Sequence, residues 1–343
     1  MNIQKFTVSA DPQWYHAWPD LTIAPDGYLL CVFSECTHHT DRSHTRIMLC
    51  GSSDRGRTWT AKRALTEATG ELPYYYNCAR IFTLADGRTG VLVDRIPRQG
   101  ETTGAAITEN VLYWSSDSGR TWSEPVVLPL HGIVPDKLCV LDSGRWLVTA
   151  HYPFKESFGQ FLYYSDDQGK TWSNEILVAH DPRYFLCEAS LLPLGGGVVA
   201  AFMRENSHLG YDCFKTVSRD GGETWGPVVP FPLPACHRPV TGFLQDGRIL
   251  ITYRFAQGAS GRARNFFGAL TDRDSVLAED RQSARIAIFP IDYDAAEKAD
   301  LGYSGWVQFP DGEVYIVSYI VDDMRDKGQI RGYSLRPESI ISY

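Results

Sequence analysis

Three side chains able to take part in acid–base or nucleophilic chemistry stand at the same point of a repeated sequence pattern. Glu188, Tyr303 and Arg238 each lie eight positions before a tight Asp-Gly or Gly-Gly turn. Trp18 and Cys78 occupy the same position before two other turns. A phenol becomes an effective nucleophile when a neighbouring base takes its proton, and a carboxylate can be that base. An acid, a phenol and a guanidinium at equivalent positions therefore predict one polar site to which several repeats contribute.

The repeats are six similar units, with turns near residues 26, 86, 143, 196, 246 and 311. In each unit a strand-like run such as CARIFTLADG ends in the turn, and a second run such as TGVLVDRI follows it. A third and a fourth β-rich run complete most units. Four strands in each of six units, without a long amphipathic helix, predict an all-β fold. We predict a single six-bladed β-propeller over residues 1–343, with four-stranded antiparallel blades whose inner strands line a central channel.

An eight-residue motif, Ser-x-Asp-x-Gly-x-Thr-Trp, follows the third strand of four units, at residues 52–59, 115–122, 165–172 and 218–225. The Ser and Asp side chains can bond the backbone of a tight loop, and Gly supplies a positive φ. We expect the Trp to pack between neighbouring units. A ring has one active site but four copies of this motif, so the motif predicts a structural role. The fifth unit keeps only TDRDSV at 271–276.

The sixth unit lacks a fourth strand after its third strand, QIRGYSL. The run KFTVSA at residues 5–10 has the composition of the missing strand. Pairing it with the last blade would close the ring and leave no open sheet edge. The sequence therefore predicts that the N-terminal strand closes the propeller.

Charge and hydropathy exclude several classes of function. The net charge is −8 without a block of Lys or Arg, which argues against nucleic acids and anionic membranes as partners. No apolar run reaches the roughly 18 residues of a membrane span. The start MNIQKFTVSADPQ lacks a signal pattern, which predicts a cytoplasmic protein. The eight cysteines form no CxxC pair, and most lie in apolar runs, so we expect buried thiols in a reducing compartment.

Neither a cofactor nor a metal is predicted. The chain has no GxGxxG–helix unit, no P-loop and no GxSxG elbow. His38, His39 and His44 are close in sequence. Their spacing is not that of ligands fixed on a strand, so we expect a solvated loop rather than a metal site. The oligomeric state has no sequence signal.

The eight-residue motif resembles the Asp-box, or BNR repeat, of sialidases (neuraminidases) and their relatives, and the resemblance covers essentially the whole chain. CEASLLPLGGGVVAAFMR is similar to the family segment in which a Glu opens a strand and an Arg follows one hairpin later, which implies roles for Glu188 and Arg204. GYSGWVQFPDG is similar to the segment with the catalytic tyrosine, which implies Tyr303. The family's acid/base Asp precedes the first box, and the match in SECTHHTDRSHTRIMLC is Asp41. A third family Arg precedes the third strand of blade 5, where RARNFFGAL offers Arg264, with Arg262 as a rival.

The chain departs from the family in blade 1, where an Arg-Ile-Pro motif is expected. It reads HAWPDL at 16–21, so Ala17 stands at the Arg position. His16 and Arg80 are candidates to replace that arginine. Other Arg and His residues lie at the blade 5 entrance, in HRP at 237–239 and at Arg254. The residues predicted to bind substrate are Arg204, Arg264, Arg238, His237, Arg254, Arg80, His16 and Trp18.

The resemblance implies an exo-acting, retaining glycoside hydrolase with a glycan or glycoside as its substrate. Sialidases use a Tyr nucleophile where most glycosidases use a carboxylate. Here Glu188 would take the proton of Tyr303, and Asp41 would protonate the leaving group and later activate water. The Arg- and His-rich entrance favours a terminal acidic sugar, a sialic acid or a related ulosonate or uronate.

Three alternatives stay open. Glu188 and Asp41 could act as a carboxylate pair on a neutral sugar, as in sialidase-like arabinanases. His16 or His237 could work with Tyr303 in a uronate lyase. The propeller could also bind glycans without catalysis, although a lectin does not need a phenol beside a base.

Overall fold

The sheets of the molecule radiate from one central channel. The structure, a computed structural model, describes residues 2–67, 70–98, 108–256, 265–322 and 326–340. Within these ranges the strands form six four-stranded sheets, and all strand pairs are antiparallel. In each sheet, strands that neighbour in sequence also neighbour in space, except where the N-terminal strand joins the last sheet. The predicted six-bladed β-propeller is confirmed.

The first three blades follow the N-terminal strand. In chain order, the strands are β1 (Gln4–Ser9); β2 (Tyr15–Ile23), β3 (Leu29–Cys36), β4 (Thr45–Ser52) and β5 (Arg63–Ala64) of blade 1; β6 (Tyr74–Thr83), β7 (Thr89–Pro97), β8 (Glu109–Ser115) and β9 (Val126–His131) of blade 2; and β10 (Cys139–Val140), β11 (Trp146–Phe154), β12 (Ser157–Ser165) and β13 (Ile176–Ala179) of blade 3.

The second half of the ring repeats the plan. Its strands are β14 (Leu186–Gly195), β15 (Val198–Glu205), β16 (Asp212–Ser218) and β17 (Val229–Pro234) of blade 4; β18 (Cys236–Phe243), β19 (Ile249–Phe255), β20 (Asn265–Thr271) and β21 (Ile286–Tyr293) of blade 5; and β22 (Leu301–Gln308), β23 (Val314–Ile320) and β24 (Gln329–Leu335) of blade 6. β1 pairs with β24 as the outermost strand of blade 6, as the sequence predicts, and so closes the ring.

Each Asp-box is a loop held by its own side chains. In the first box, the Ser52 hydroxyl accepts the Gly56 N–H at 2.8 Å and bonds Asp54 at 2.8 Å. The Asp54 carboxylate accepts the N–H of Thr58 at 2.8 Å and its hydroxyl at 2.6 Å. Equivalent bonds recur in the other three boxes. The predicted structural role of Ser and Asp is confirmed.

The same box joins neighbouring blades. Trp59 of blade 1 lies 6.2 Å from Tyr315 of blade 6, measured between ring centroids. Gly56 has a φ of +82°, and a Cβ there would meet the Tyr315 ring at 2.3 Å. Only glycine therefore satisfies both the turn and the close approach of the next blade.

The fifth unit replaces the box with a turn of helix, α1 (Arg273–Leu277). Asp272 caps this helix by accepting the Ser275 N–H at 2.8 Å. The decayed box thus still uses an Asp to hold a loop. None of the helices in the described part of the chain is long and apolar enough to cross a membrane.

The core is divided among the interfaces between blades, each of which holds its own cluster of buried apolar residues. Val32 and Leu49 of blade 1, for example, pack with Ile81 and Val91 of blade 2. The eight cysteines lie within these interiors, and all are free and buried. The predicted burial of the thiols is confirmed.

Candidate active site

The inner strands share one irregularity at the entrance of the channel. The pairing register of blades 1, 2, 4, 5 and 6 is interrupted there by a bulge. Four residues at these bulges have positive φ: Trp18 at 52°, Glu188 at 51°, Arg238 at 50° and Tyr303 at 33°. Non-glycine residues rarely adopt such φ, and bulges commonly re-aim a side chain beside an active site. The equal spacing noticed in the sequence is therefore the spacing from turn to bulge.

The bulge residues meet at the centre of the ring. Trp18, Cys78 and Tyr303 belong to one buried cluster, although they come from blades 1, 2 and 6. Val134, which precedes β10 in blade 3, joins the same cluster and has a φ of 52°. The ring therefore brings the entrance residues of four blades into contact.

Glu188, Tyr303 and Arg204 form a compact hydrogen-bonded triad. The Tyr303 hydroxyl donates to Oε1 of Glu188. Nη1 of Arg204 donates to the same carboxylate oxygen at 2.9 Å and approaches the Tyr303 hydroxyl at 3.3 Å. All three side chains are buried, with residue exposures of 5–7%. A base and a cation from blade 4 and a phenol from blade 6 share one site.

Electrostatics fix the resting protonation of this triad. Burial, reinforced by the Glu188 carboxylate, raises the pKa of Tyr303 well above its ordinary value. Burial, the largest single influence, favours the neutral form of Glu188, but the Arg204 guanidinium, the Tyr303 hydrogen bond and other nearby groups together outweigh it and hold the pKa of Glu188 below its usual range. The phenol is therefore protonated at neutral pH, and the base beside it is ionised.

Glu188 is oriented through its backbone. Its N–H donates to Nδ1 of His151 on β11 at 3.3 Å. Burial lowers the pKa of His151 to about 4, so the ring is neutral and able to accept this bond. Oε2 of Glu188 has no hydrogen-bond partner among the described residues. One carboxylate oxygen is thus engaged by Tyr303 and Arg204, and the other is unengaged.

Arg254 and His237 form a second group beside the triad. Arg254 donates to the Tyr319 hydroxyl and to Nδ1 of His237, both at 3.3 Å. Its guanidinium carbon lies 5.1 Å from the centre of the Tyr303 ring. Burial, with the nearby Arg204 and Arg254 charges, lowers the pKa of His237, so this ring is a neutral acceptor. Arg254 therefore extends the positive side of the site beyond Arg204.

Two predicted arginines instead support the inner strands. Arg238 is fully buried, and it donates to the carbonyls of Ala189 at 3.2 Å and Pro135 at 2.9 Å. Arg80 is buried as well and donates to the Ser304 carbonyl at 3.1 Å. Both guanidinium groups hold main-chain carbonyls of other blades.

His16 lies in a separate network on blade 1. Its Nε2 is 3.0 Å from Oε2 of Glu35 and 3.0 Å from the Lys62 ammonium. Among the described residues, Asp11, His16 and Glu35 are the one group of side chains close enough to share a metal ion. The Lys62 ammonium bonds all three, so a protein cation already neutralises this cluster.

The sequence matches the BNR repeat-like domain over residues 79–316, more than half of the chain. The chain belongs to the BNR repeat-like domain family. A search of curated proteins found no match. The resemblance of the boxes to BNR repeats is thereby confirmed at the level of the family.

Solved structures show the same fold as this BNR propeller at low sequence identity. A protein of unknown function from Dyadobacter fermentans is 19% identical, with a TM-score of 0.80, over 97% of this chain and 99% of that chain. The intramolecular trans-sialidase from Ruminococcus gnavus is 14% identical, with a TM-score of 0.70, over 96% of both chains. The α-L-arabinanase from Penicillium chrysogenum is 13% identical, with a TM-score of 0.68, over 99% of this chain and 100% of that chain. These likenesses establish a shared fold.

In the BNR propeller, the loop between β3 and β4 places Asp41 apart from the triad. Asp41 is exposed, and its carboxylate accepts the Ser43 N–H at 2.9 Å. Its neighbours approach the site instead. The Arg42 guanidinium carbon lies 3.9 Å from the centre of a Trp18 ring, and the His39 ring meets Trp18 edge-on at 5.2 Å. Arg264 and its rival Arg262 lie outside the described residues.

Asp300 is a site residue that the sequence reasoning missed. It stands immediately before β22 and accepts the hydroxyls of Tyr15 at 2.6 Å and Tyr319 at 2.9 Å. Nδ1 of His39 also bonds this carboxylate. The available signal was an acid three residues before Tyr303, on the strand already assigned to the site.

Proposed function

We propose that this BNR propeller is an exo-acting, retaining glycoside hydrolase that removes a terminal acidic sugar through a tyrosine nucleophile. The observation that carries the proposal is the hydrogen bond from Tyr303 to Glu188, with Arg204 bridging both groups. The anomeric carbon would be attacked by the Tyr303 oxygen while Glu188 takes the phenolic proton. Arg204 would stabilise the charge that develops on the phenol oxygen.

A neutral nucleophile suits an acidic sugar. A carboxylate attached at or beside the reacting carbon repels an anionic nucleophile, whereas a protonated phenol avoids this repulsion. Arg204 and Arg254 supply positive charge next to the phenol, and Arg204 bonds Glu188 and Tyr303 through Nη1 alone. The Nη2 group of Arg204 can donate to a substrate carboxylate. The site thus combines the nucleophile and the counter-charge that such a substrate needs.

A neutral sugar is the second candidate, and one observation favours it. Both Nη atoms of Arg254 are engaged, by Tyr319 and His237, and Nη1 of Arg204 is engaged by Glu188. Neither arginine therefore presents two free Nη groups to a ligand. The fold is also that of an arabinanase as well as of sialidases. A uronate lyase finds less support, because His16 pairs with Glu35 and His237 faces Arg254.

The deciding experiment is release of a fluorescent aglycone from an α-sialoside, beside matched uronides and neutral pentosides. We expect release from an acidic glycoside, and we expect Tyr303→Phe to abolish it, because phenylalanine keeps the ring but has no nucleophilic oxygen. Circular dichroism and thermal unfolding should show an intact fold for the variant. Release from pentosides alone would favour the neutral-sugar reading. Glycan binding without release from any substrate would indicate a lectin, and release that survives Tyr303→Phe would remove this residue from the mechanism.

A further inference from the structure

A His–Asp pair lies at the edge of the site, next to the Trp18 bulge. The Asp300 carboxylate accepts hydrogen bonds from two tyrosine hydroxyls, at 2.6 and 2.9 Å, and contacts Nδ1 of His39. Three hydrogen-bond partners from blades 1 and 6 and from the loop after β3 therefore fix the position of this one acid. The carboxylate in turn fixes the ring of His39, because Nδ1 is committed to it.

His39 combines a fixed ring with a free nitrogen. Its side chain is 37% exposed, whereas the triad beneath is buried. With Nδ1 held by Asp300, Nε2 is the nitrogen left to exchange a proton with a ligand. The ring lies edge-on against Trp18, which shares a buried cluster with Tyr303. Asp300, which holds His39, also bonds Tyr319, whose ring centre lies 6.4 Å from that of Tyr303, so His39 borders the site.

We propose that His39, positioned by Asp300, is the general acid/base that protonates the leaving group. This inference rests on the proposed glycosidase function and departs from the sequence-based choice of Asp41. Asp41 is exposed, and its carboxylate is used to hold the backbone of its own loop at Ser43. The same loop carries both residues, but only His39 touches other elements of the site.

Every proton transferred in the two steps has a donor and an acceptor. In the first step, the imidazolium Nε2–H of His39 gives its proton to the glycosidic oxygen as the bond to the anomeric carbon breaks. The Tyr303 oxygen bonds that carbon, and Glu188 receives the phenolic proton. In the second step, neutral His39 takes a proton from water, and the water oxygen displaces Tyr303, which recovers its proton from Glu188. The enzyme returns to its starting state after consuming one water molecule.

The test compares two substrates of one active sugar, one with an activated aryl aglycone and one with an alkyl aglycone. His39→Gln should lower kcat/KM on the alkyl glycoside by about 10²–10⁴-fold, because that leaving group needs a proton. On the aryl glycoside, the same variant should complete the first step at a nearly native rate. A burst of released aglycone should therefore precede a slow second step. Azide, which attacks without a general base, should then accelerate turnover. His44→Gln, a histidine of the same loop whose ring packs against Trp14, should leave both substrates unaffected.

Asp300→Asn provides a second variant that keeps the shape of the acid and removes its charge. It should show the same selectivity for the alkyl glycoside to a smaller extent, even if His39→Gln folds poorly. An equal loss on both substrates for both variants would overturn the assignment, and so would an alkyl-selective loss in Asp41→Asn. In each case Tyr303→Phe would still be inactive, so the proposed function would stand. Activity that persists in Tyr303→Phe would overturn the proposed function and this inference together.

Discussion

The triad predicts a specific energetic penalty when its cation is removed. Arg204→Met keeps a long apolar stem but leaves the Glu188 carboxylate, which is 5% exposed, without its ion-pair partner. Breaking a buried ion pair by removing one partner typically costs about 3–5 kcal/mol. We therefore expect the free energy of unfolding at neutral pH to fall by roughly that amount. Urea unfolding followed by tryptophan fluorescence measures it.

The loss of stability in Arg204→Met should depend on pH, and the direction of this dependence follows from the pKa of Glu188. In the native chain the pKa of Glu188 is lowered, so its ionisation contributes stability above the unfolded value of ~4.3 that is lost as pH falls through the folded pKa. Without Arg204, burial, which is the largest single influence on this carboxyl, should raise that pKa above ~4.3. The stability contribution of Glu188 in the variant is then greatest below ~4.3 and is lost as pH rises through the raised pKa. The difference in the free energy of unfolding between the native protein and Arg204→Met should be large at pH 8 and small near pH 5.

Two controls separate charge from packing. Glu188→Gln combined with Arg204→Met removes both charges, so the double variant should recover most of the loss. Arg183→Met breaks an ion pair with Asp181 in which the Arg183 side chain is 74% exposed, and should cost about 1 kcal/mol or less. If Arg204→Met loses the same stability at both pH values, or if the double variant is no more stable, the buried-charge reasoning is wrong.

Two further predictions concern the ring. Asp54→Ala should lower the thermal midpoint, because Asp54 holds Ser52 and Thr58 of the first box. It should leave turnover unchanged, because the box lies outside the site. An unchanged midpoint would contradict the loop-holding role. Deleting residues 1–10 should destabilise the whole ring and promote association, because β24 then becomes an open edge. Thermal unfolding and size-exclusion chromatography would check both effects, and a native unfolding curve would show that β1 is dispensable.

The fold was predictable because its signals are local. Turn residues, alternating runs and the Ser-x-Asp-x-Gly-x-Thr-Trp motif each act within about ten residues, and their repetition fixes the architecture. Two details were not predictable in this way. The inner strand of blade 3 is reduced to Cys139–Val140, and α1 replaces the fifth box.

The site was predictable only in part, because equal spacing from the turns does not determine which partners a side chain meets. Spacing from the turns places Glu188, Tyr303 and Arg238 on one inward-facing position of their blades. It does not indicate that Arg238 donates to carbonyls of other strands, while Tyr303 meets a base. His39 and Asp300 are 261 residues apart in sequence, so no spacing rule could pair them.

The resting ion pair also bears on which substrate the site prefers. In the free protein Arg204 neutralises Glu188, which weakens Glu188 as a base toward Tyr303. A substrate carboxylate bound at Nη2 of Arg204 would share that positive charge, and the pKa of Glu188 would move upward toward its ordinary value. The base would then strengthen only when an acidic sugar is bound, whereas a neutral sugar would leave it weak. An acidic substrate should therefore have a higher kcat as well as a lower KM than a neutral one. Part of its binding energy is expressed only as the proton leaves the phenol.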